Sequence, residues 1–283
     1  MNIRLWGTRG SVASAGPQTA RYGGNTACVE VRGDDGTLIV LDAGTGIQRL
    51  GTEVDHSAGR IDILLTHLHM DHIQGLGFFA PIFRRGCEIH IWGPPSPTLH
   101  LRARLTRYLS PPLFPIRLRD LRANFDFHDA PQEPFRIGSF AVQADEVIHP
   151  GATLGYRISA NGQSLTYLSD HEPALGTGNG NADGDPTWVS GLRLARGADV
   201  LIHDAQYTTQ ERAERLGWGH SSVAEAVAFA QRAQVGKLVL FHHDPARTDD
   251  QMDVLATEAA TLAAAGGDTL QVTAGREGDR LLP

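Results

Sequence analysis

Seven consecutive residues, Thr66-His67-Leu68-His69-Met70-Asp71-His72, constrain this chain more than any other stretch. Three of its 13 histidines fall there, with a carboxylate among them. The apolar run Ile61-Asp62-Ile63-Leu64-Leu65 just upstream suits a buried strand and is too short for an ordinary helix. The cluster therefore stands where a strand leaves a core, and loops placed by a rigid scaffold are where chemistry is usually carried. In an extended segment alternate side chains share a side. That groups His67, His69 and Asp71, and a turn after Asp71 brings His72 to them. Imidazoles and a carboxylate converging on one point describe a site for a borderline metal such as zinc.

Composition narrows what surrounds the site. With 25 basic against 32 acidic residues the net charge is −7, which gives no general attraction for nucleic acid or anionic membrane but leaves room for a local basic patch. The 283 residues allow one large domain or two ordinary ones. No repeat and no linker of disordered composition divides them, so one domain is expected over 1–283. Two cysteines, Cys28 and Cys87, are too few for a disulfide framework and read as buried thiols in a reducing compartment. No run approaches transmembrane length and the N-terminus lacks a signal-peptide pattern, so the expected location is cytoplasmic.

Along the chain, strands are expected at 2–6, 26–31 and 38–42, the last two as a hairpin across Gly33-Asp34-Asp35-Gly36. A helix opens at Gly44-Thr45-Gly46-Ile47 and ends near Gly51; with no P-loop lysine these glycines read as turn residues. Beyond the histidines, 73–83 is apolar enough for a helix packed over the site, and 87–92 alternates like a strand. Residues 99–127 carry arginines at 102, 104, 107, 117, 119 and 122, either as a lip for an anionic substrate or as a solvated basic face. Further strands are expected at 139–147, 153–158, 164–168, 198–202, 237–241 and 269–272. Helices are expected at 221–233, capped within Gly219-His220-Ser221-Ser222, and at 249–265. Residues 174–187 lack apolar periodicity and read as a mobile surface loop at the rim of the site.

Three more donors sit at strand ends: His149 after Val147-Ile148, Asp170 after Leu165-Thr166-Tyr167-Leu168, and His242 after Leu238-Val239-Leu240-Phe241. His243 competes with His242 on position alone. One zinc needs only three protein ligands and an open position. Seven candidates, two of them carboxylates, argue for two ions able to share a hydroxide and clamp a developing oxyanion.

The pattern His-x-His-x-Asp-His at 67–72, followed in order by His149, Asp170 and His242, resembles that of the metallo-β-lactamase superfamily over essentially the whole chain. The resemblance implies an α/β fold of αββα type, two sheets packed face to face with helices on both outer faces and the metals at one edge. It also implies that His67, His69 and His149 hold one ion and Asp71, His72 and His242 the other, with Asp170 bridging. Asp71 is carried over as a catalytic residue as well as a ligand. It favours His242 over His243.

Leu201-Ile202-His203-Asp204-Ala205-Gln206-Tyr207-Thr208, Gly219-His220-Ser221-Ser222 and Phe241-His242-His243-Asp244-Pro245 look like the ribonuclease Z and phosphodiesterase branch. There His220 would protonate the leaving group and Asp204 would orient it. Two departures from ribonuclease Z stand out: no glycine- and proline-rich tRNA-clamping arm, and Asp204 in place of glutamate. The stretches 21–26, 41–46 and 169–172 look instead like a bacterial group of phosphodiesterase-like hydrolases.

The expected function is thus a dinuclear phosphodiesterase using a metal-bridging hydroxide, with Zn2+ as the expected metal and Mn2+ or Fe2+ as alternatives. The expected substrate is a small anionic phosphodiester, a nucleotide or RNA; no membrane partner is expected, and homodimer formation stays open. The alternatives are a ribonuclease Z-like endoribonuclease, a lactonase or thioesterase on the same site, and a non-catalytic metal-containing sensor. His56, His90, His100 and His128 read as surface or hydrogen-bonded residues, and His171, His203 and His243 as groups that orient ligands. Arg21 and Asn25 read equally as substrate contacts or turn stabilisers.

Overall fold

The computed structural model describes residues 1–55, 59–174, 189–266 and 269–283. His56 and nearly all of the loop expected at 174–187 lie outside the described residues.

Two seven-stranded sheets carry the architecture. The first contains β1 (Asn2–Gly7), β2 (Cys28–Arg32), β3 (Leu38–Leu41), β4 (Arg60–Leu64), β5 (Glu88–Gly93) and β6 (Asn124–Asp129). The second contains β7 (Phe135–Ile137), β8 (Phe140–Glu146), β9 (Leu154–Ala160), β10 (Gln163–Leu168), β11 (Val200–Asp204), β12 (Lys237–Phe241) and β13 (Gln271–Ala274). The two-residue β14 (Arg280–Leu281) returns to pair with β1, so the orders are β14-β1-β2-β3-β4-β5-β6 and β13-β12-β11-β10-β9-β8-β7. In the first sheet β3 to β6 run parallel, and in the second β10 to β13 do. The remaining pairs are antiparallel.

The sheets pack face to face through one core that takes Val29, Ile39 and Leu41 from the first and Phe140, Tyr156, Tyr167 and Phe241 from the second. Outside the first sheet lies α1 (Ile47–Glu53), with α3 (Leu101–Thr106) and Phe79 and Phe114 closing a second core. Outside the second sheet α4 (Leu192–Ala195), α6 (Val223–Ala233) and α7 (Asp249–Ala265) close a third. Helices therefore cover both outer faces, as expected. Two tyrosines of the second sheet cross the central core: the Tyr156 hydroxyl donates to Leu65 O and the Tyr167 hydroxyl to Asp42, at 2.8 and 2.9 Å.

The expectation of one helix over 73–83 is not met. Instead α2 (Met70–Ile73) starts inside the histidine cluster, and short 3-10 turns follow at Leu76–Phe78 and Ala80–Phe83. Close packing explains the break. A Cβ on Gly75 would lie 2.0 Å from Gly44 O, one on Gly77 would strike the Phe114 ring, and Pro81 lacks a donor for a continuing helix. Within 99–127 the chain forms α3 and then, unanticipated, β6. The last major strand is shifted from 269–272 to Gln271–Ala274, and α5 (Thr209–Ala213) was also not foreseen.

Candidate metal centre

Parallel strands deliver their carboxyl ends to one edge of a sheet, where open α/β sheets bind ligands. Here β3 runs into Asp42, β4 runs into the histidine cluster, and β10, β11 and β12 lead to Asp170, Asp204 and His242. His149 follows β8. All seven residues expected as ligands meet at that edge. His67, His69 and His149 form one group, and Asp71, His72, Asp170 and His242 another; the ligand atoms within each group lie within 4.8 Å of one another. Asp71 arrives by the first turn of α2, not by continuing the extended strand.

Asp170 stands between the groups. Its Oδ2 is 3.8 Å from both His67 Nε2 and His149 Nε2 and 3.3 Å from His242 Nε2, while Oδ1 is 3.0 Å from His72 Nε2.

The backs of the rings are pinned. His72 Nδ1 donates to Asp42 Oδ2 at 2.8 Å and His149 Nδ1 to Gly219 O at 2.9 Å. The Thr66 hydroxyl donates to Asp42 and takes the Nδ1 hydrogen of His67 at 3.0 Å. Each ring thus keeps Nε2 for the centre, the arrangement that metal-binding histidines need. His67 Nε2 is buried without a hydrogen-bond partner, and the buried His72 Nε2 and Asp170 Oδ1 face only the other groups of the cluster, 3.0 Å from each other. Such atoms are costly in a folded protein, and a divalent cation would satisfy all three together. The donor set fits two ions.

Charge follows the same lines. Burial, reinforced by neighbouring imidazoles, pushes the His67 ring well below its ordinary range, and burial lowers His69 and His149. These three are neutral, as ligation requires. Burial would raise the Asp71 and Asp170 carboxyls, but the facing histidines outweigh it and hold both far below the usual carboxylate range. Burial likewise opposes a proton on His72, and Asp170, Asp71 and Asp42 overcome it, so His72 must surrender a proton before ligating.

His220 is beside the centre and differently placed. Its Nδ1 donates to the fully buried Asp204 at 2.6 Å, and its ring stacks on His242 with centroids 5.0 Å apart. Burial lowers its pKa, but Asp204 outweighs burial and pushes it up to about 9. Asp204 Oδ1 also accepts from Ser221 N and Gln206 N, which leaves it no freedom to swing away.

His243 is not brought to the centre: its Nε2 donates to Gly275 O at 2.8 Å. His171 and His203 hydrogen-bond each other at 2.8 Å in the core, and His203 Nδ1 donates to Asp204 O. His90 and His128 pair with each other at 3.0 Å. Arg21 is tied to Asp249, Asp250 and Asp253, and Asn25 to Glu277, so both serve the fold. Cys28 and Cys87 are buried free thiols.

Asp42 and Glu172 were not singled out from sequence. Asp42 could have been, as a carboxylate ending the apolar strand Leu38–Leu41. Glu172 anchors the loop before His220 by accepting from Gly219 N and Arg212, and no local pattern marks it.

Of the arginine segment, Arg102, Arg107, Arg117, Arg119 and Arg122 are exposed, and only Asp120 carries an opposing charge within 99–123. The Tyr108 hydroxyl donates to Gln74 O, and Phe114 packs edge-on against Phe78, 5.8 Å between centroids. The segment therefore leans on the turn just after α2. Among the described residues no helix is long and apolar enough to cross a membrane.

A family model described as beta-lactamase superfamily domain matches residues 37–243. The ribonuclease Z of Bradyrhizobium sp. (strain ORS 278) is 30% identical over 256 residues, covering 77% of this chain and 83% of its own. Among solved structures, the metallo-beta-lactamase fold protein YhfI from Bacillus subtilis superposes with a TM-score of 0.72 at 18% identity, over 99% of this chain and 98% of that one. The short form of human tRNase Z gives 0.68 at 22% identity over 100% and 99%.

Proposed function

The chain belongs to the metallo-beta-lactamase superfamily, and we propose that within it residues 1–283 act as a single dinuclear, zinc-dependent phosphodiesterase domain. The observation that carries this reading is the His220–Asp204 pair beside the ligand cluster. An imidazolium with a pKa near 9 is charged at neutral pH and positioned to give up a proton. A leaving alkoxide needs that proton; a thiolate leaving group does not.

His67, His69 and His149 would hold one ion and Asp71, His72 and His242 the other, with Asp170 shared. Ions so held supply an activated water at neutral pH and neutralise charge developing on phosphoryl oxygens. The protein's own part is orientation and proton delivery. Asp42 and Gly219 fix the ring angles of His72 and His149, and Asp71 presents its Oδ2 toward the centre. Asp204 keeps the His220 proton on Nδ1 and stabilises the imidazolium, so that Nε2 can protonate the leaving oxygen. The exposed arginines of the segment that leans on the turn after α2 favour an anionic substrate over a lactone or thioester.

The relatives named ribonuclease Z support RNA as a second substrate class. The test is a panel with zinc-loaded protein: bis-p-nitrophenyl phosphate, 2′,3′-cyclic nucleotides and an unstructured RNA, against a lactone and a thioester. Turnover of the diesters, with kcat lowered about 10²–10⁴-fold in His220→Ala, is expected. Hydrolysis of the carbon esters alone would overturn the reading.

A further inference from the structure

We infer that the turn at residues 9–11, latched by Gln206, is the positioning device for the Asp71–His242 half of the metal centre; the inference rests on the two-metal reading above. Ser11 has φ 61°, a left-handed conformation that a residue with a side chain adopts only when its surroundings enforce it. Those surroundings are explicit. His243 N donates to Thr8 O and Gly10 N to His243 O, each at 2.9 Å, so the turn is stitched to the very strand end that bears His242. The wholly buried Arg9 side chain donates to the carbonyls of Gly23, Asp244 and Arg247 and cannot slide.

So held, the turn touches two ligands. Ser11 N donates to Asp71 Oδ2 at 2.7 Å. That is the oxygen lying 3.2 Å from His242 Nε2 and 3.3 Å from His72 Nε2. Gly10 packs closely against the His242 imidazole, where an added Cβ would come within 2.4 Å of Nδ1. The same three residues thus fix which carboxylate oxygen faces the centre and wall the ring that faces it. Gln206 closes the device from the other side. Its Nε2 donates to Ser11 Oγ at 3.0 Å, while its backbone N donates to Asp204 Oδ1 at 3.1 Å. The latch therefore springs from the residue that also braces the Asp204–His220 pair.

The experiment uses Zn2+ alone, titrated into the metal-stripped full chain against a chromogenic chelator, for wild type, Gly10→Ala and Gln206→Ala. Apo melting temperature serves as the folding control. Both variants are expected to keep one equivalent at wild-type affinity, the one assigned to His67, His69 and His149. The other equivalent should weaken about 10–100-fold, the usual cost of losing groups that orient a ligand. Wild-type binding of both equivalents in Gln206→Ala, or equal weakening of both equivalents in either variant, overturns the device. A wild-type chain that takes up no zinc overturns the metal reading instead.

Discussion

Asp42 shows how much of the candidate centre depends on a side chain that is not itself among the proposed ligands. Fully buried at the end of β3, it accepts from Thr66 N and Oγ1, His72 Nδ1 and the Tyr167 hydroxyl. Asp42→Ala would strand those donors together; a loss of about 3–5 kcal/mol is expected in urea unfolding of the metal-free protein. In the proposed mechanism His220 would carry the pH dependence. With its pKa at about 9, the proton is present throughout the neutral range and lost only as pH rises through that value. The kcat/KM for a diester, which reports groups of the free enzyme, should therefore fall as pH rises through about 9. In Asp204→Asn the alkaline fall should move down toward about 6.5, the ordinary imidazole value. A limb that stays near 9 in that variant would remove Asp204 from its role.

At the scale of elements, α6 begins two residues beyond Ser221, directly after the site. Ser222 caps it, its hydroxyl accepting from Glu225 N while the Glu225 carboxylate accepts from Ser222 N. Ser222→Ala should cost about 1 kcal/mol in thermal unfolding. The helix expected over 249–265 starts in the same way, Thr248 and Gln251 forming the same reciprocal pair. Strand 237–241 was equally plain, an apolar run stopped by two histidines. The segment 73–83 misled because hydrophobicity there serves packing, while the close approaches at Gly75 and Gly77 depend on partners more than thirty residues away in sequence, at Gly44 and Phe114. β6 hid in plain view: Phe125 and Phe127 alternate correctly, but the surrounding arginines drew attention to charge. The candidate ligands at strand ends stand out in the sequence because polar residues interrupt apolar runs there. The Gly10–Ser11 turn does not, since its meaning lies in a hydrogen bond to Asp71, sixty residues on.

For the whole molecule, buried neutral histidines set the acid limit. Burial holds His243 at about 3, and lowers His171 and His203 as well. Unfolded, each accepts a proton near its ordinary value of about 6.5. Because the folded pKa lies below the unfolded one, stability is lost as pH falls below about 6.5, and for His243 the loss levels off near 3. That window corresponds to about 4–5 kcal/mol from His243 if it acts alone. Urea midpoints of the metal-free protein should drop across the window, less steeply in His243→Gln; parallel slopes would count against it. The origin of the donors has a mechanical consequence. His67, His69, Asp71 and His72 hang from the first sheet, whereas His149, Asp170 and His242 hang from the second. An ion bound among them would be a clasp across the seam of the sandwich, adding to the apolar contact, the two tyrosine hydroxyls and backbone bonds such as Leu154 N to Thr66 O that join the two layers. Chelation would unfasten one edge only: amide exchange should quicken at the carboxyl ends of β4, β10 and β12 and stay slow at their amino ends.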